Sequence, residues 1–211
     1  MLKDYRCTKY SQNPFSNLTE RKEKLMKTIR ETHSRTDDIY NVVSRDFKFK
    51  KLFAQAFGNR CAYCGLLVEI GSLHSFQVDH IIASDVLKKG NRHKPDHSLK
   101  NLALSCQSCN NRKNNLDFTL SELKGLHPYK QKIKKIFYRD DDFYIKISDT
   151  EHNEKIQEFY DKLLLGTQLK RVDYLLMCLH DLANLYPTVY EIDKAYHLLL
   201  NKRSVFSPKE T

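Results

Sequence analysis

LALSCQSCNNRKNN, residues 102–115, joins a short apolar run to a Cys-x-x-Cys pair, and then to six residues, 110–115, without one apolar side chain. The run 102–106 has the composition of a strand, and the polar stretch after it reads as the opening of a helix. Two thiols at the hinge between such parts need a reason. About forty residues earlier the chain repeats the spacing, as Cys61-Ala-Tyr-Cys64-Gly65.

Each Cys-x-x-Cys sets two thiolates on a tight turn from which both reach one ion. Two such turns supply four ligands, Cys61, Cys64, Cys106 and Cys109, for a tetrahedral zinc site that is closed to water and therefore structural. A disulfide framework suits a small secreted protein, whereas paired Cys-x-x-Cys in a reducing compartment reads as metal. Cys7 and Cys178 lie at no useful spacing and are expected to be plain thiols.

The chain has 211 residues and a formal net charge of +10, unevenly spread. Residues 1–60 hold fourteen Lys and Arg against seven Asp and Glu; residues 61–120 and 121–211 are nearly balanced. A basic arm suggests a polyanion partner, most simply nucleic acid, with a solvated surface as the alternative. No run has the length of a membrane span, and the first residues are polar and charged. A cytoplasmic location is the expectation.

Residues 18–45 read as helical, with Leu25, Ile29, Ile39, Val42 and Val43 on the apolar face. RDFKFKKLFAQAFGN reads as a second short helix that stops at Gly58-Asn59. Two strand-like runs, SFQVDHII and NLALSC, mark the centre, and from residue 121 the chain reads as helical again, in NEKIQEFYDKLLL and VDYLLMCLHDLANLY. YKQKIKKIFYR reads as a packed helix through Ile133, Ile136 and Phe137, and DFYIKI as a short strand. Lys194, His197 and the final NKRSVFSPKET, residues 201–211, give no usable signal. The expected organisation is a basic, mainly helical arm (1–57), a cysteine-bearing core (58–118) and a mainly helical C-terminal region (119–211).

Within the core, Asp79-His80 closes the first strand-like run, a basic loop follows, and Asn101-Leu102 opens the second. In order, Cys61/Cys64, Asp79/His80, Asn101/Leu102 and Cys106/Cys109/Asn110/Lys113 resemble the HNH endonuclease family. That family's pattern is Cys-x-x-Cys, Asp-His, Asn-Leu and Cys-x-x-Cys-[His/Asn]-x-x-Lys. The resemblance covers about 60 of the 211 residues. Its third letter is often His, and here it is Asn110.

The resemblance implies an α+β fold with a zinc-stapled ββα-metal core between helical flanks. It implies DNA phosphodiester hydrolysis leaving a 5′-phosphate. His80 is expected as general base, Asp79 and Asn110 as oxygen ligands of Mg²⁺ or Mn²⁺, and Asn101 as the residue that holds the loop and orients His80. Asn114, four residues after Asn110 and so on the same helical face, is a further candidate ligand. Arg112, Lys113, Lys88, Lys89 and Arg92 are the candidate contacts to nucleic acid, double-stranded DNA first. His93 and His97 lie on the same basic loop, which suits either backbone contact or plain solvation. The competing reading is a catalytically silent zinc module that binds nucleic acid. HNH proteins of this size also resemble nuclease subunits of restriction and anti-phage defence systems, Septu-like ones among them. That similarity implies an ATPase partner docked on the C-terminal helices.

Overall fold

The computed structural model describes residues 4–11, 13–34, 37–83, 86, 96–113, 116 and 118–206. The helix expected over 18–45 is two helices, α1 (Leu18–Thr32) and α2 (Ile39–Arg45). Residues 31–38, ETHSRTDD, hold no apolar side chain and cannot extend the face that buries Leu25 and Ile29. Asp38 then starts α2 by accepting a hydrogen bond from the Asn41 amide at 3.0 Å. Asp46 does the same for α3 (Phe47–Ala56), accepting from the amides of Lys48 and Phe49. Phe49, Phe53 and Phe57, four residues apart, form its buried face. Gly58 ends the helix at φ +69°, where a Cβ would lie 2.6 Å from the Cβ of Pro14.

After the first cysteine pair come α4 (Val68–Gly71) and a 3₁₀ turn, then β1 (Phe76–His80). β1 pairs antiparallel with β2 (Leu102–Cys106), with Phe76 opposite Cys106 and His80 opposite Leu102. α5 (Gln107–Lys113) begins on the residue after β2. Strand, strand and helix thus succeed one another around the second cysteine pair, the ββα order the resemblance implied.

The C-terminal region opens with α6 (Leu120–Gly125), capped reciprocally by Thr119 and Glu122. α7 (Ile133–Ile136) is one turn long. Phe137, expected to continue that helix, begins β3 (Phe137–Arg139), which pairs with β4 (Ile145–Ile147) within the expected strand. Phe137 is fully buried against Tyr5 and Phe159, so tertiary contacts overrode the helical spacing. α8 (Glu154–Lys162) and α9 (Gln168–Leu185) follow as expected, and α10 (Tyr190–Lys202) packs on α9 without burying any of its own residues. No helix among the described residues is long and apolar enough to cross a membrane.

One hydrophobic cluster takes side chains from all three stretches of the chain, among them Ile29 and Phe53, Leu102 and Leu104, Phe137 and Leu176. A buried N-terminal strap reinforces it. Arg6 pairs with Asp4 at 2.8 Å, donates to the Ala62 carbonyl at 2.5 Å and lies over the Phe15 ring at 4.1 Å. Its carbonyl would lie 2.6 Å from a Cβ at Gly65, where φ is +82°, so the strap can lie on the cysteine turn only because residue 65 is glycine.

Candidate active site and metal centre

The first cysteine turn is closed by the Gly65 amide on the Cys61 carbonyl (3.0 Å) and tied to β2 by the Ala62 amide on the Leu104 carbonyl (2.8 Å). β2 carries Cys106 to the same place, and the first turn of α5 adds Cys109. The four Sγ atoms lie within 4.8 Å of one another, all on buried residues. A tetrahedral ion with Zn–S bonds near 2.3 Å separates its sulfurs by about 3.8 Å. The Cys64–Cys106 separation is 3.8 Å. In donor chemistry, spacing and closure the cluster fits a structural zinc.

Lys170, from α9, is only 3% exposed and lines with Cys106 a cavity of about 430 Å³. Burial works against its ammonium, yet the sulfurs of Cys109, Cys64 and Cys106 hold its pKa well above the ordinary lysine value. A Zn²⁺ bound by four thiolates would carry a net negative charge, part of which Lys170 would offset. Nothing in the spacing of the cysteines pointed to a lysine some sixty residues downstream.

Asp79 and His80 close β1. Asp79 is 4% exposed; one carboxylate oxygen accepts from the Tyr63 hydroxyl, and the other from Lys113 Nζ at 3.1 Å. Burial pushes its pKa up, against the pull of Lys113 and Tyr63. Lys113 Nζ also donates to the His80 carbonyl at 2.8 Å, so the last residue of α5 is tied to the end of β1. This placement differs from the expectation for Lys113. The side chain is 5% exposed and turned inward, because the carboxylate it meets is buried too.

The His80 ring is half-buried. Its Nε2 lies 2.9 Å from His97 Nδ1, and the Tyr40 ring packs on it with centroids 4.4 Å apart. Burial, helped by His97 and Lys113, pushes its pKa down to about 4, so the imidazole is neutral at neutral pH. Asn101 is buried. Its Oδ1 accepts from the Ile82 amide at 2.9 Å, and its Nδ2 donates to the carbonyls of Ile82 and Asp96 at 3.0 Å each. Asn101 therefore clamps the exit of β1 to the segment that carries His97.

Asn110 faces β1 ahead of Asp79. Its amide donates to Gln77 Oε1, two residues earlier on β1. Arg112 is half-buried and lines the cavity shared with Lys170 and Arg203. Asn114, Lys88, Lys89 and Arg92 lie outside the described residues. Apart from the cysteines, no group of three or more His, Cys, Asp or Glu with metal-ligand spacing occurs among the described residues.

Neither Tyr63 nor Tyr40 is a site residue in the sequence reading, and His97 enters it only as a candidate backbone contact on the basic loop. Tyr63 had a signal of sorts, lying between two ligand cysteines. Tyr40 and His97 reach His80 from α2 and from the loop before β2, and no local pattern announces that meeting.

Residues 61–116 match the family model described as HNH endonuclease. No curated protein and no solved structure matches the chain. The family match implies a nuclease-type function, a nucleic-acid substrate and the use of divalent metal. Residues 61–116 thus match an HNH endonuclease domain, and their four converging cysteines fit its zinc-bound type.

Proposed function

We propose that this chain is a divalent-metal-dependent endonuclease that hydrolyses DNA phosphodiester bonds, with His80 as general base. The observation that carries the reading is the end of β1. There a neutral imidazole and a buried carboxylate stand on adjacent residues, with Asn101 clamping the strand behind them and Lys113 fastening it to the zinc-anchored helix. The Nδ1 of His80 has no hydrogen-bond partner among the described residues, which leaves its lone pair for a proton from water.

Mg²⁺ or Mn²⁺ would be held by Asp79, with Asn110 and Asn114 as neutral oxygen donors, and would neutralise charge on the scissile phosphate and the departing 3′-oxygen. A carboxylate and amide oxygens suit such an ion in kind, and Asp79 would take it up by releasing Lys113 or Tyr63, which hold its two oxygens here. Arg112, Lys88, Lys89 and Arg92 are proposed contacts to the DNA backbone, and the ionic share of that binding falls with salt. Purified protein is expected to nick or cut plasmid with Mg²⁺ or Mn²⁺ and to stop when EDTA is added. Plasmid retained in a gel shift but left intact with every divalent ion would establish the silent zinc module instead.

A cytoplasmic anti-phage defence setting with an ATPase partner belongs to the same proposal. Two Cys-x-x-Cys pairs gathered as metal ligands suit a reducing compartment. The support for a partner is the C-terminal surface, where Leu185, Tyr186, Val189, Tyr190, Leu198 and Val205 are 40–78% exposed. Tyr190→Glu with Leu198→Glu should abolish co-purification of an ATPase subunit and leave plasmid cleavage unchanged. An ATPase retained by that double variant, or none recovered with the natural chain, would sink the idea.

A further inference from the structure

His97 is held as firmly as His80. The Asn101 side chain donates to the Asp96 carbonyl at 3.0 Å, the Asn101 amide to the Ser98 carbonyl at 2.9 Å, and the Ser98 amide to Asp96 Oδ1 at 3.0 Å. These bonds fix residues 96–101 as a compact turn. On its other side the His97 ring stacks against Tyr40, with centroids 5.6 Å apart and planes 27° from parallel. Tyr40 belongs to α2, so three separate parts of the chain hold one imidazole pair. The pair meets edge to face, with 5.0 Å between ring centroids and Nε2 of His80 aimed at Nδ1 of His97.

A neutral imidazole has one donor nitrogen and one acceptor nitrogen, and the partner of the first decides which is left for the second role. We propose that His97 is a positioning residue for the hydrolysis proposed above: its Nδ1 accepts the Nε2–H of His80, which fixes the tautomer in which Nδ1 of His80 is free to take a proton from water. This rests on the reading of His80 as general base. It also gives Asn101 a route of action, since Asn101 holds the turn that carries His97 and so reaches the base through it. His97 touches neither substrate nor ion in this scheme. The proton passes from water to His80 Nδ1, and the bond between the two imidazoles stays in place.

Two variants separate positioning from packing. Asparagine places its Oδ1 where the Nδ1 of histidine lies and can accept the same bond. Phenylalanine keeps a ring against Tyr40 and cannot accept it. In the zinc-loaded full chain, ¹⁵N spectra of the imidazoles are expected to show His80 as the Nε2–H tautomer, kept in His97→Asn and lost or mixed in His97→Phe. In plasmid cleavage, His97→Phe should lower kcat by about 10- to 100-fold with little change in KM. His97→Asn should recover most of that loss.

A His97→Phe chain that keeps both the tautomer and kcat would overturn the positioning while leaving His80 as the base. So would a His97→Asn chain as inactive as His80→Ala, because His97 would then take part in the chemistry itself. A natural chain that cuts no DNA would remove the underlying reading, a result the cleavage assay shows before either variant is made.

Discussion

Cys109→Ser is expected to yield a chain that lacks zinc and has no cooperative melting transition. Four thiolates hold the ion; a serine hydroxyl in place of one is a much poorer ligand and stays protonated at neutral pH. A structural zinc contributes on the order of 10–16 kcal/mol. A domain of this kind is stable by about 5–15 kcal/mol in all. Losing most of the first exhausts the second. Nor should the damage stay local, because Cys61, Cys64, Cys106 and Cys109 belong to the same buried cluster as Phe53, Phe76 and Leu176. Elemental analysis should find about one zinc per natural chain. Circular dichroism should show the variant unfolded at temperatures where the natural chain is folded. A metal-free variant that melts cooperatively at the natural temperature would show that the thiols pack the core without holding an ion.

His80→Ala should lower plasmid cleavage by about 10²- to 10⁴-fold, the range a positioned general base supplies. That corresponds to about 3–5 kcal/mol of barrier. The fold should survive, because the substitution strands no buried charge. Lys113 keeps both the Asp79 carboxylate and the backbone carbonyl at position 80. Zinc content and affinity for DNA should stay close to natural, since the base acts on the barrier and not on ground-state binding. The clean signature is a fall in kcat with KM nearly constant. Cleavage at the natural rate would mean that another group takes the proton, and His97, 2.9 Å away, would be the first to test.

Much of the centre was legible in the sequence because its signals are short-range. Cys-x-x-Cys closes on itself, so two such turns needed only to meet, and they do. Asp79-His80 ends one strand-like run, and Asn101 precedes the other. The helices at 154–162 and 168–185 follow from apolar residues three and four apart, and the one at 47–56 from apolar residues at mixed spacing and its Gly58-Asn59 stop. α10 falls in the region read only as mainly helical, with no stretch of its own named: none of its residues is fully buried, and only Tyr196, Leu199 and Leu200 pack partly buried against the core. Phe137 looked helical and became a strand, because Tyr5 and Phe159, far away in the chain, bury it.

What the sequence by itself determined is which residue types stand where: four thiols at ligand spacing, a carboxylate and an imidazole at one strand end, and a polar helix after the second thiol pair. Only the tertiary structure decided who meets whom. It turned Lys113 inward onto Asp79, set Asn110 against Gln77, brought His97 and Tyr40 to His80, and placed Lys170 behind the cysteines. The physical reason is range. Helical and strand periods are written within a few residues, while the partner of a buried charge or an imidazole nitrogen is whichever side chain the packed core leaves within about 3 Å of it.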